Sequence, residues 1–79
     1  MRILLFAQVK DAVGAAEFEL KIHGEVDAAG VWRHLIVARS ELAPFQKTTR
    51  LARNGEYADA RARFIDADEV ALIPPVSGG

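Results

Sequence analysis

The sequence predicts an α+β fold: a mixed sheet whose first and last strands lie parallel at the centre, with one main helix packed on one face. Three observations predict it. An apolar run near the start is followed by a strictly alternating one, a single long stripe then has helical spacing, and a hairpin signal precedes a last apolar run that stops at two prolines.

Taken in order, Arg2 to Val9, "RILLFAQV", is nearly continuous in apolar residues and reads as a strand buried on both faces. The next run, "EFELKI" from Glu17 to Ile22, sends Phe18, Leu20 and Ile22 one way and Glu17, Glu19 and Lys21 the other. That is a strand with one wet face, nearer a sheet edge. With Asp11 to Gly14 as the turn, the two make an antiparallel hairpin. Ala28, Val31, Trp32, Leu35 and Ile36 then recur at spacings of three and four, one stripe of an α-helix, with Trp32 in the core. Asp27 is the N-cap, its carboxylate accepting from the first free N–H groups. Gly30 costs up to about 1 kcal/mol against Ala inside a helix, which predicts close packing there. The stripe breaks at Arg39, and Ser40 caps a short turn, "SELAPF", that Pro44 limits.

Asn54-Gly55 is the strongest two-residue hairpin signal, with a short strand on either side. "FIDADEV" is a loop, and "EVALIP" is the last strand, halted where Pro74 removes a ladder N–H. This ββαββ order fits a β-grasp. A ferredoxin-like sandwich would need a second full helix, and "SELAPF" is too short. The chain of 79 residues is one domain with a modest core, residues 1–75, followed by a flexible tail, 76–79, ending in Gly-Gly.

Composition narrows the functions. A net charge of −1 leaves no electrostatic footprint for nucleic acid or an anionic membrane. The absence of cysteine excludes disulfides, thiolate metal sites, iron–sulfur clusters and a thiol nucleophile. No stretch approaches the roughly 20 apolar residues of a membrane span, and "MRILLFAQVK" lacks a signal-peptide cleavage site, so a cytoplasmic protein is expected. No serine, lysine or histidine stands beside a recognisable base.

A helix covering one face should leave the other polar, and the two central strands break this rule. With Ile3, Leu5 and Ala7 facing the helix from the first strand and Val70 and Leu72 from the last, Leu4, Phe6, Ala71 and Ile73 form an apolar patch on the open side. The patch lies beside the root of the tail and fits a docking surface; the other account is that loops fold over it. Pro74 and Pro75 favour an extended exit, and six residues from Pro74 reach roughly 20 Å. Val76 and Ser77 are small, and Gly78 and Gly79 offer only backbone, so the tail can thread a narrow channel with its carboxylate leading. A loose glycine-rich terminus is the alternative.

Other residues carry less. His23, on a loop, and His34, on the helix's polar side, are unclustered and read as surface residues. Asp66, Asp68 and Glu69 read as a solvated turn rather than a cation site or a dock for a basic partner. Arg50, Arg53, Arg61 and Arg63, offset by Glu56 and Asp59, read as solvated strand faces, the alternative being that some contact acidic partner surfaces.

"LFAQV" near the start, "RLARNGEY" in the middle and above all "DEVALIPPVSGG" at the end resemble the small sulfur-carrier subunit of molybdopterin synthase, in the same order over nearly the whole chain. The resemblance implies a ubiquitin-like β-grasp and a non-catalytic, sulfur-donating role. Gly79 matches the residue that a ubiquitin-activating-like adenylyltransferase adenylates with ATP and that a sulfur-donor enzyme's sulfur then converts to a thiocarboxylate, with Gly78 its slim neighbour. The thiocarboxylate would serve cyclic pyranopterin monophosphate inside the large, catalytic subunit, in a heterotetramer, with no cofactor bound to this chain. Phe6, Ile73 and, less closely, Tyr57 match positions facing the large subunit. Ala67 stands where the family's acidic turn carries glycine; either the turn relaxes or Asp66 takes the left-handed conformation. Rival readings are a sulfur carrier for thiamine thiazole or transfer RNA thiolation, a covalent protein modifier joined through Gly79, and a non-covalent interaction domain.

Overall fold

The computed structural model describes residues 1–75. In chain order it contains β1 (Arg2–Leu5), α1 (Ala7–Val13), β2 (Glu17–Glu19), α2 (Ala28–Ala38), a 3₁₀ segment (Ser40–Phe45), β3 (Arg50–Arg53), β4 (Glu56–Tyr57) and β5 (Glu69–Ile73). The strands form one sheet in the order β2-β1-β5-β3-β4. The central pair, β1 and β5, is parallel, with Ile3 opposite Val70 and Leu5 opposite Leu72. The other neighbours are antiparallel. This is the β-grasp arrangement that the element order predicts.

The helical stripe packs as its spacing requires. Val31, Trp32 and Leu35 of α2 are buried in one core with Ile3, Leu5, Leu51, Val70 and Leu72 from the sheet. Asp27 Oδ1 accepts from Gly30 N–H at 2.8 Å, the expected N-cap. Gly30 is buried, and a Cβ there would meet Val26 Cβ at 2.9 Å, which explains glycine inside the helix. The Asn54-Gly55 turn has φ of 50° and 88°, the double positive φ of the tight hairpin turn that Asn-Gly favours. The 3₁₀ segment begins at Ser40 but is capped by Arg39 with no side-chain cap bond, so Ser40 does not act as the cap.

The N-terminal strand is shorter than the apolar run. It stops at Leu5, Phe6 is still extended, and Ala7 turns the chain with φ 51° into α1, which ends in a left-handed Gly14 whose N–H donates to Lys10 O at 2.8 Å. Ala7 is thus exposed at the helix start instead of facing inward from a strand, and Val9 is buried from the helix. The expected turn, Asp11 to Gly14, is the end of this helix and its cap. The hairpin survives: β1 and β2 pair antiparallel, with Ile3 opposite Phe18. The second strand also ends early, at Glu19, although Leu20 and Ile22 continue inward and are buried as the alternation predicts.

The "FIDADEV" segment is less loose than a loop. Phe64 is fully buried and exchanges two backbone hydrogen bonds with Val26, at 2.8 and 2.9 Å, holding the segment against the approach to α2. Neither Asp66 nor Ala67 is among the residues with positive φ, so the acidic turn accommodates Ala67 by relaxing.

Candidate functional site

The sheet's pleat builds the open face. Because Ile3, Leu5, Leu51, Val70 and Leu72 point into the core, their neighbours along each strand point away from it. The register then aligns Glu17, Leu4, Ala71, Ala52 and Tyr57 in one row across all five strands. A second row, nearer the end of β5, holds Ile73 opposite Arg50. Phe6 stands beyond the end of β1, where the Ala7 turn carries the chain away.

On this face lies a shallow hollow of about 360 Å³, lined by Leu4, Phe6, Ala52, Tyr57, Ala71 and Ile73 together with Gly55 and Glu69. Ala52 and Ala71 keep its floor low, while Phe6 (47% exposed) and Tyr57 (60% exposed) stand up from it. Large apolar side chains half in water beside a hollow floored by small ones make a shape that a partner's side chain can fill. The four open-face residues named from alternation and Tyr57 from resemblance all lie together here. Pro74 is buried at the root of the tail and Pro75 is exposed. Val76, Ser77, Gly78 and Gly79 lie outside the described residues.

Charge marks one boundary. Arg2 Nε donates to Glu17 Oε2 at 2.6 Å, and its Nη1 lies 3.6 Å from Glu69 Oε2. The Glu17 hydrogen bond, ahead of its charge, holds the guanidinium further above its ordinary pKa. These groups are exposed, so the pairs add little stability; they set a polar edge to the apolar area.

Sequence reasoning missed Ala52 and did not place Arg50 on the open face. Arg50 is no mere solvated strand residue: its guanidinium carbon lies 4.1 Å from the ring centroid of Tyr57, and it stands opposite Ile73, both of which line the hollow. The signal was present, since a two-residue Asn54-Gly55 turn pairs Arg53 with Glu56 and hence Ala52 with Tyr57.

Asp66 also does more than solvate a turn. It accepts from Ile22 N–H at 2.9 Å and from the Met1 ammonium at 3.1 Å. The Ile22 bond first, then the ammonium, hold its carboxyl below the usual carboxylate range. Its neighbour Asp68 accepts from Asn54 Nδ2 and Ile65 N–H, at 3.0 and 2.9 Å, tying the hairpin turn to the start of β5.

A larger hollow, about 470 Å³, lies beside α2 and is lined by Leu20, Lys21, Arg33, His34, Val37 and Ala38. It shares no lining residue with the first hollow, and Val37 and Ala38 are its exposed apolar residues. Among the described residues no group of three or more histidine or acidic side chains could hold a metal ion, and no helix is long and apolar enough to cross a membrane.

Comparison with known proteins agrees with this geometry. The ThiS family model matches residues 3–79. A molybdopterin synthase sulfur carrier subunit from Drosophila yakuba is 30% identical over 82 residues, an overlap covering 100% of this chain and 90% of that one. The crystal structure of SAMP1, a small archaeal modifier protein from Haloferax volcanii, superposes with a TM-score of 0.85 at 28% identity, covering 100% of this chain and 98% of that one. A Helicobacter pylori complex of subunits 1 and 2 of molybdopterin-converting factor contains a chain of the same fold, with a TM-score of 0.67, 22% identity, and 99% and 96% of the two chains covered.

Proposed function

The chain belongs to the ThiS family, and from that premise we propose that it is a sulfur carrier for molybdenum cofactor biosynthesis, with Gly79 as its reactive residue. It is a co-substrate of enzymes rather than a catalyst. The observation that carries the reading is the position of the hollow. Ile73 lines it and β5 ends there, so a protein seated on Leu4, Phe6, Ala71 and Tyr57 receives the segment that starts at Pro74 and Pro75. From Pro74 onward six residues span roughly 20 Å when extended.

The chemistry begins at an unreactive carboxylate. An adenylyltransferase joins its oxygen to the α-phosphorus of ATP and expels pyrophosphate. A sulfide equivalent from a sulfur-donor enzyme attacks the acyl carbon and expels AMP, leaving a thiocarboxylate. Inside the large subunit its sulfur bonds to a carbon of cyclic pyranopterin monophosphate as that carbon's bond to oxygen breaks and the oxygen leaves, and water cleaves the acyl–sulfur bond to return the carboxylate. Two such deliveries complete the dithiolene. Gly78, Ser77 and Val76 are the slim approach to this carbon. The Drosophila yakuba relative, named a sulfur carrier subunit of molybdopterin synthase, supports the pathway, and the Helicobacter pylori complex supports a two-subunit assembly, here a cytoplasmic heterotetramer.

The test is the intact mass of the protein from its native host, with and without the activating enzyme. A species heavier by the sulfur-for-oxygen difference that disappears with that enzyme is expected; an unchanged mass in both strains refutes the mechanism. The likeness to SAMP1 favours a second reading, a covalent modifier joined through Gly79 to lysine amines. Isopeptide-linked conjugates in cell extract would support it.

A further inference from the structure

We propose that Arg50 is a specificity residue of the open face, pairing with a carboxylate side chain that the docking partner presents at the rim of the hollow. The inference rests on the preceding reading of this face as the seat of the large subunit. It starts from a mismatch. Ile73, which lines the hollow, faces a cation across the β3–β5 ladder, where a leucine or alanine would extend the patch.

That cation is held in place. The guanidinium carbon sits 4.1 Å from the Tyr57 ring centroid, within reach of the ring's negative face. Tyr57 is one residue of the row that crosses the sheet, so the stack places the planar donor fork beside the hollow instead of letting a long side chain wander in solvent. Among the described residues no carboxylate pairs with it: the ion pairs there involve Arg2 and the Met1 ammonium, and Glu69, the acid that lines the hollow, is engaged by Arg2.

Docking then forces the issue. A protein that covers Phe6, Ile73 and Tyr57 removes water from Arg50 as well, and a charge buried without a partner is strongly unfavourable. The apolar contacts can be realised only if the incoming surface supplies the counter-charge. A carboxylate matches the guanidinium fork with two parallel N–H···O bonds, a geometry that Lys cannot reproduce. The face therefore distinguishes partners by two requirements, an apolar side chain for the hollow and an acid at its rim.

The experiment measures dissociation constants of the full-length chain and its variants against the large synthase subunit from the same host, at about 0.05 and 0.5 M salt. Arg50→Leu is the discriminating variant, because it enlarges the apolar patch. If the cation pairs with an acid, Arg50→Leu weakens binding on the order of tenfold and flattens the salt dependence; Arg50→Glu weakens it further, on the order of a hundredfold. Arg50→Lys restores only part of the loss, and an acid-to-lysine change in the partner rescues Arg50→Glu. Binding by Arg50→Leu that equals or exceeds wild type overturns the inference and leaves the docking reading intact. Failure of the wild-type chain to bind the large subunit overturns both, as does sedimentation showing that the face is filled by a second copy of this chain. Thermal melts of each variant within a few degrees of wild type exclude misfolding, and Tyr57→Phe, which keeps the ring, should bind as wild type.

Discussion

Replacing Phe6 with aspartate should separate binding from folding. Phe6 is the N-cap of α1, with φ −132° and ψ 152°, and it makes no side-chain cap bond. In that extended geometry an aspartate carboxylate accepts from the N–H groups of the first helical turn, which stabilises a helix by about 0.5–2 kcal/mol over a residue that cannot cap. Against this stands the packing of the ring. Phe6 is 47% exposed, so about half of a phenylalanine's burial is lost, roughly 1 kcal/mol. The two effects nearly cancel, and Phe6→Asp should unfold within about 1 kcal/mol of wild type. Binding has no such compensation. An aromatic anchor at the centre of an interface contributes about 2–4 kcal/mol, so affinity for the large subunit should fall by roughly 30-fold or more. Urea unfolding followed through Trp32, the chain's single and buried tryptophan, gives the first quantity, and calorimetric titration gives the second. A loss of about 3 kcal/mol or more in stability would show the ring to be core, and unchanged affinity would show that it is no anchor. Either result refutes the reasoning.

Further expectations follow from backbone and charge. Ala7 holds φ 51°, a conformation that costs a residue with a Cβ roughly 1–2 kcal/mol, while glycine's extra freedom when unfolded returns about 0.5–1 kcal/mol. Ala7→Gly should therefore range from neutral to stabilising by about 1.5 kcal/mol, a rise in melting temperature of up to roughly 10 °C, and a fall would argue that β1 runs on through Ala7. Gly30→Ala brings a Cβ to 2.9 Å from Val26 Cβ and 3.3 Å from the cap oxygen of Asp27. Calorimetric melts should show it destabilised by roughly 1–3 kcal/mol despite alanine's better helix propensity. Asp66 has a pKa below its ordinary 3.8 in the folded chain, so its contribution is complete above that value and disappears as pH falls through the lower, folded one. The urea midpoint of Asp66→Asn should lie below wild type at neutral pH, with the gap closing in strong acid; a constant gap would mean that the carboxylate's charge is irrelevant. Deleting Gly79 should abolish maturation of molybdoenzymes in the host while leaving the melting temperature unchanged.

What the sequence reveals depends on how local the cause is. The α2 stripe, the Asp27 cap and the Asn54-Gly55 turn are each specified by residues within a few positions of one another, and each stands where the spacing puts it. The open face was legible because period-two alternation holds through β5 and through all four residues of β1. The helix α1 was not, because its start depends on Ala7 adopting a positive φ that alanine's own propensity disfavours; an apolar run with no glycine or proline gives no sign of a break. Asp66 escaped for a different reason. Its partners, Ile22 and Met1, lie 44 and 65 residues away in the chain, and no pattern around Asp66 announces them. Arg50 was placed on a strand correctly, but its stacking on Tyr57 required the register of β3 with β4.

The last strand is also the middle one. β5 is bonded to β1 on one side and to β3 on the other, with four aligned residue pairs in each ladder. Traction on the segment beyond Pro75 is therefore delivered along β5 and loads both ladders in shear, so that many bonds resist together instead of peeling one by one from an outer strand. A partner can grip and tug the end of this chain during handover without unravelling the body that carries it.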